Sequence, residues 1–270
     1  MTLPKVVFIG TGGTMSSLGK DSLDILDYSA NDSRLHASQI VERIPELKNI
    51  AELITVNYNN IISSQVYFPE WQDLVMQCHQ LANDIPDLAG IVIGHGTSSL
   101  EETAWFLNLT LKIDLPVILT GSQRPINALS SDVGMNLVNA VRVAISPVAH
   151  GCGVMVLLND ELHAAREVTK TSTTRLQTFQ SPVTGPLGHV DGGNVNIYRR
   201  PLRRVAPNTE FYIEELETLP RVDISYAYAG SDGKAVDAFV SAGARGIISA
   251  GFAPGITTPA ETLALNNAAM

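Results

Sequence analysis

Short apolar runs at 5 to 9, 52 to 57, 90 to 94, 116 to 120 and 153 to 158 alternate with longer stretches whose apolar residues recur every three or four positions. Runs of this length fit buried strands, and the wider spacing fits helices with one apolar face. The helical stretches are 37 to 46, 69 to 84, 99 to 112 and 131 to 145, with Asp, Glu, Asn and Gln on their other faces. Strands and helices in alternation predict an α/β fold, with a mostly parallel sheet covered by helices.

The pattern breaks at 181 to 213, where Pro182, Gly185, Pro186, Gly188, Gly192, Gly193, Pro201 and Pro207 leave room only for turns, short strands or a linker. The expected division is a large N-terminal domain over 1–195, a linker over 196–212 and a smaller C-terminal α/β domain over 213–270. In the last region 222 to 228 and 246 to 250 read as strands, and 233 to 242 and 259 to 269 as helices. Two strands are few, since an α/β layer needs about four to bury both faces. This region is expected either to lean on a partner or to continue past a cut.

The chain has 270 residues, 45% of them apolar, and a mean hydropathy of +0.12, ample for a core. Its 18 basic and 27 acidic residues leave a net charge of −9, which opposes binding to nucleic acid or anionic lipid. No apolar run approaches the roughly 18 to 20 residues of a membrane span. Met1-Thr2-Leu3-Pro4-Lys5 leads directly into a strand with no room for a signal segment, so a cytoplasmic location is expected. Cys78 and Cys152 are isolated, and the six histidines lack zinc-site spacing, so neither a disulfide framework, a metal nor another cofactor is implied.

Two loops carry candidate chemistry. Gly10-Thr11-Gly12-Gly13-Thr14 follows the first strand, and Gly94-His95-Gly96-Thr97-Ser98-Ser99 follows the third. In an open parallel sheet ligands gather where strands end and helices begin, and glycines there let the backbone approach closely. A nucleotide-binding turn is disfavoured: no Gly-x-Gly-x-x-Gly is completed, and the next strand ends at Asn57 rather than at an acid. Ser98 or Ser99 with Glu101 and Glu102 also fits a helix start, the acids complementing the helix dipole. That reading accounts for Glu101 and Glu102, but not for Thr97 between paired glycines.

Those loops, with Thr120-Gly121-Ser122-Gln123-Arg124-Pro125 and Asn159-Asp160 followed by Arg166-Glu167-Val168-Thr169-Lys170-Thr171, resemble the L-asparaginase and glutaminase family in order over residues 5 to 258. The resemblance implies a metal-independent amidohydrolase that releases ammonia from a small carboxamide through an acyl-enzyme. It maps Thr14 to the nucleophile, Tyr28 to its helper on a flap, Thr97 to the second-loop threonine and Lys170 to the activator of Thr97. Gly13, Ser63, Ser64, Gly96 and Ser98 fall at substrate-binding positions. A homodimer or homotetramer, with sites completed by the neighbouring subunit, is likewise implied.

Two departures bear on substrate. The family's Gly-Thr-Asp-Thr stands here as Gly96-Thr97-Ser98-Ser99, without the acid that pairs with a substrate's α-ammonium. The asparagine expected to reach a neighbour's site falls at Pro254, and later acidic contacts lie beyond Met270. Losing one partner of a buried charge pair costs about 3 to 5 kcal/mol, a factor of hundreds to thousands in turnover. The expected substrate is an amide, imide or lactam without an α-ammonium, L-asparagine being the family default. The alternatives are a small-molecule binder that has lost turnover and an amidotransferase subunit; the acidic charge and the absence of an extra N-terminal domain speak against the latter.

Overall fold

The computed structural model describes residues 2–28, 34–213 and 216–270. Contacts divide the chain into two compact units, Met1–Ile213 and Glu214–Met270.

The first unit is built on an eight-stranded sheet. Its strands are β1 (Lys5–Gly12), β2 (Glu52–Ile61), β3 (Leu88–Gly94), β4 (Val117–Thr120), β5 (Val154–Leu158), β6 (Glu161–Ala164), β9 (Gly188–Asp191) and β10 (Asn194–Ile197), while β7 (Thr169–Lys170) and β8 (Phe179–Gln180) form a separate pair. The spatial order is β10-β9-β6-β5-β4-β3-β1-β2. Strands β2, β1, β3, β4 and β5 are parallel, and β6, β9 and β10 continue the sheet antiparallel. The continuous apolar runs are explained by burial on both faces. Val6 to Ile9, Ile91 to Ile93, Ile118, Leu119 and Met155 to Leu157 are fully buried, each such side chain contributing about 1.5–3 kcal/mol relative to exposure.

The helices α1 (Ala37–Glu42), α2 (Phe68–Asp84), α3 (Leu100–Thr110) and α4 (Val133–Ala144) fall in the four predicted stretches. On α4 the buried residues Val133, Leu137, Ala140, Val141 and Ala144 repeat at helical spacing and join the core. Helix α1 stops at Glu42 rather than continuing to 46, because Pro45 opens a separate 3-10 turn over Pro45–Asn49. The hairpin between β9 and β10 turns on Gly192 and Gly193, with φ of 56° and 101°, angles that glycine adopts without Cβ strain.

Several contacts hold the stretch 196–212, expected as a linker, to the rest of the first unit. Asn196 and Ile197 end β10, Arg200 donates to the His150 carbonyl at 2.6 Å, and Lys112 donates to the Thr209 carbonyl at 2.5 Å. Proline and glycine report where a chain turns, not what the turn packs against.

The second unit pairs β11 (Val222–Tyr226) with β12 (Gly246–Ala250) in parallel, with α5 (Lys234–Ser241) and α6 (Pro259–Ala268). The Thr258 hydroxyl caps α6 by accepting the Glu261 N–H. The buried Glu261 carboxylate accepts the hydroxyls of Ser225 at 2.6 Å and Ser231 at 3.1 Å, which offsets part of its desolvation.

Candidate active site

The order β3-β1-β2 sets the site's position. The chain leaves β1 on one side to form β2 and returns on the other to form β3, so the loops after β1 and β3 diverge at a switch point, where parallel sheets open a crevice. Gly10 and Gly94 are partners in the β1–β3 ladder, which brings the two threonine loops out side by side. Strand β2 ends next to them, Ile61 pairing with Gly12, and continues into the 3-10 turn Ser63–Gln65.

The first two loops touch through their backbones, and the third meets them through Ser63. A Cβ on Gly13, whose φ is 78°, would lie 2.3 Å from the Gly96 Cα, and a Cβ on Gly96 would lie 2.5 Å from the Ser63 Oγ. No larger residue fits either place without moving a loop. The Ser63 hydroxyl accepts the Ser98 N–H at 3.2 Å, and the Ser99 hydroxyl donates to the Ser63 carbonyl at 2.6 Å.

Above this junction lies a cavity of about 320 Å³, lined by Gly13, Thr14, Tyr28, Ser63, Gly96, Thr97, Ser98 and Lys170 among others. Eight of the nine residues expected at the site therefore share one space. Ser64 does not line it and is exposed, because the 3-10 turn presents Ser63 inward. Thr14 and Tyr28 share a hydroxyl–hydroxyl hydrogen bond at 2.8 Å. The Lys170 Nζ donates to the Thr97 Oγ1 at 2.7 Å. Thr14 and Thr97 are both buried.

Lys170 is held by Glu101, for which the sequence alone implies only a helix-dipole role. Glu101, in the first turn of α3, accepts the Lys170 backbone N–H at 2.5 Å and the Thr169 hydroxyl at 3.0 Å. Burial pushes the Lys170 ammonium below the usual lysine range, and the Glu101 charge opposes that shift. Gln123, also missed as a site residue, lines the cavity and donates to the carbonyls of Thr173 and Arg175 at 3.2 and 3.1 Å. Asp132 anchors its loop by accepting the N–H groups of Gln123 and Arg124 at 2.9 and 3.0 Å. The available signal was the position of Gln123 within the Thr120–Pro125 motif. His95 is fully buried between the Gly96 carbonyl and the Thr103 hydroxyl, and burial drives its pKa down to about 4.

The electrostatics are one-sided. Among the described lining residues, Arg34, Arg124 and Lys170 are basic and none is Asp or Glu. Ser98 is the exposed member of its loop. Among the described residues no group of three or more His, Cys, Asp or Glu is placed to hold a metal ion, and no helix is long and apolar enough to cross a membrane.

Residues 5–203 match the family model of the asparaginase N-terminal domain. The chain is 39% identical over 267 residues to the probable periplasmic L-asparaginase of Haemophilus influenzae, covering 99% of this chain and 75% of that one. It is also 39% identical to L-asparaginase 2 of Bacillus subtilis, over 92% of this chain and 65% of that one. The crystal structure of the probable cytoplasmic L-asparaginase from Campylobacter jejuni matches with a TM-score of 0.91 at 32% identity, covering 98% of this chain and 80% of that chain. These relatives are named for different compartments, so kinship does not carry the cytoplasmic expectation. The chain belongs to the asparaginase family of amidohydrolases.

Proposed function

We propose that the chain hydrolyses a small carboxamide to a carboxylate and ammonia, with Thr14 as nucleophile. The observation that carries this reading is the pairing, in one cavity, of Thr14 with Tyr28 at 2.8 Å and of Thr97 with Lys170 at 2.7 Å. The Thr14 oxygen bonds to the amide carbon with Tyr28 holding the hydroxyl, the C–N bond breaks, and the threonine proton leaves with the nitrogen as ammonia. A water then attacks the resulting ester. Its proton passes to the Thr97 oxygen as the Thr97 proton passes to the neutral Lys170 amine. The acid departs, Thr14 regains its proton, and Lys170 returns the one it took. Burial favours the neutral amine this step requires. Backbone N–H groups of the two glycine loops are the candidate oxyanion donors.

The substrate proposed is an amide without an α-ammonium group. Ser98 in place of an acid, and a lining that holds the two arginines Arg34 and Arg124 and no carboxylate among its described residues, support a neutral or anionic amide over an amino acid amide. L-Asparagine remains the family default against which this is measured. Steady-state ammonia release from asparagine, glutamine and succinamate, with ring opening of small cyclic amides followed as appearance of the ring-opened acid, tests the claim: succinamate or a cyclic amide is the best substrate, and efficient asparagine turnover overturns it. Thr14→Ala abolishes ammonia release if the chain is an enzyme and changes nothing if it is only a binder. A homodimer or homotetramer is proposed from family membership, and sedimentation equilibrium measures it.

A further inference from the structure

We propose that a second cavity of the first unit, separate from the active site, binds an amphipathic organic anion: a carboxylate or sulfonate carried on an apolar body. This cavity, of about 820 Å³, lies between the segments 182–184 and 199–205 and has no lining residue in common with the active-site cavity. Its size is within the roughly 300–1,000 Å³ of small-molecule sites.

The charge is concentrated. Arg166, Arg199, Arg200, Arg203 and Arg204 all line it, five of the 18 basic residues of a chain whose net charge is −9. The single acid among the described lining residues, Glu167, is committed to Arg199 at 2.5 Å. Arg200 is fixed by the carbonyls of His150 and Val148, and Arg204 pairs with Glu210. Among the described residues, no ion pair involves Arg166 or Arg203. The Arg166 guanidinium instead lies 5.0 Å from the ring centroid of Trp105, an arrangement that fixes the group while leaving its charge unneutralised. Like charges gathered in one cleft raise its potential, and an anion relieves it. The planar guanidinium fork suits a carboxylate or sulfonate.

Apart from Asn108 and Thr184, the rest of the described lining is apolar. Val154 opens β5, Ala164 closes β6 and Ala165 follows it, while Val183 and Leu202 are almost wholly exposed, at 96% and 103%. A bare inorganic anion leaves these surfaces in water, whereas an apolar body covers them and gains hydrophobic free energy. Both halves of the lining are therefore met only by a ligand with both characters.

Isothermal titration of the full chain with octanoate, 1-octanol and inorganic phosphate tests the proposal. Octanoate is expected to saturate one site per chain and to bind at least about tenfold more tightly than either control. The double variant Arg166→Ala with Arg203→Ala weakens octanoate by about tenfold or more. The single variant Leu202→Asp, which adds a negative charge at a fully exposed position, weakens it in the same direction. Absence of octanoate binding, equal binding of 1-octanol, equal binding of phosphate, or unchanged octanoate affinity in both variants overturns the proposal.

Discussion

Glu101 accepts the backbone N–H of Lys170 at 2.5 Å, which ties the strand bearing the lysine to the first turn of the helix that follows the Thr97 loop. The same carboxylate holds the ammonium form of Lys170 more favourably than its burial alone would allow. In the proposed mechanism Lys170 accepts a proton, so activity is lost as pH falls through the lysine's pKa. Glu101→Gln keeps an acceptor for the N–H but removes the charge, which lowers that pKa further. The acid limb of the kcat/KM profile is therefore expected at lower pH in Glu101→Gln than in the wild type. A limb that stays put or moves upward contradicts the assignment of Lys170 as base.

Thr97 and Lys170 are expected to act as one unit. Replacing either, as Thr97→Val or Lys170→Met, lowers kcat by about 10²–10⁴, the usual range for removing acid–base assistance. The double variant is then expected to lose little more than the worse single one, because either change disables the same proton transfer. Multiplicative losses would show that the two act separately.

Ser98→Asp restores a negative charge to a cavity whose described lining has none. Asparagine hydrolysis is expected to rise by hundreds of times, while turnover of succinamate falls from repulsion between its carboxylate and the new one. A preference ratio that does not move would place the ammonium-binding position elsewhere.

Gly96→Ala is expected to cost about 1–3 kcal/mol of stability, the usual range for overpacking, since the new Cβ would stand 2.5 Å from the Ser63 Oγ and 2.7 Å from its Cβ. Gly13→Ala is expected to cost more, because its obstacle is backbone and its φ of 78° adds strain. Urea midpoints measure both, and a tolerated Gly13→Ala would contradict the close approach of the loops.

His95 makes folding sensitive to acid. Its folded pKa of about 4 lies below the roughly 6.5 of an unfolded histidine, so between those values the unfolded state binds more protons. Its contribution is complete above pH 6.5 and is lost as pH falls toward 4, by an amount on the order of 3 kcal/mol. In His95→Gln this part of the pH dependence disappears, and the stability gap between wild type and variant narrows across that window. A gap constant from pH 7 to 4 would refute it.

The parallel sheet and its helices were legible because burial on both faces leaves continuous apolar runs, as in Val6 to Ile9. The antiparallel edge was legible only as a region of turns, since β9 and β10 have four residues each and carry little periodicity. At the site, residues in glycine-rich loops announced themselves by composition. Glu101 and Gln123 did not, because their roles depend on partners 69 and about 50 positions away, and a helix-start glutamate has a sufficient local explanation.

The meeting of Gly13, Gly96 and Ser63 also bears on how such a site changes over generations. Where two main chains and the Ser63 side chain abut, a substitution must displace a neighbour before it can alter a ligand contact, so these positions leave little room for change. Ser98, exposed one residue beyond Thr97, carries no such constraint. If the proposed role of Ser98 holds, a lineage can exchange the residue at that position, and with it the molecules it consumes, without rebuilding the machinery beneath.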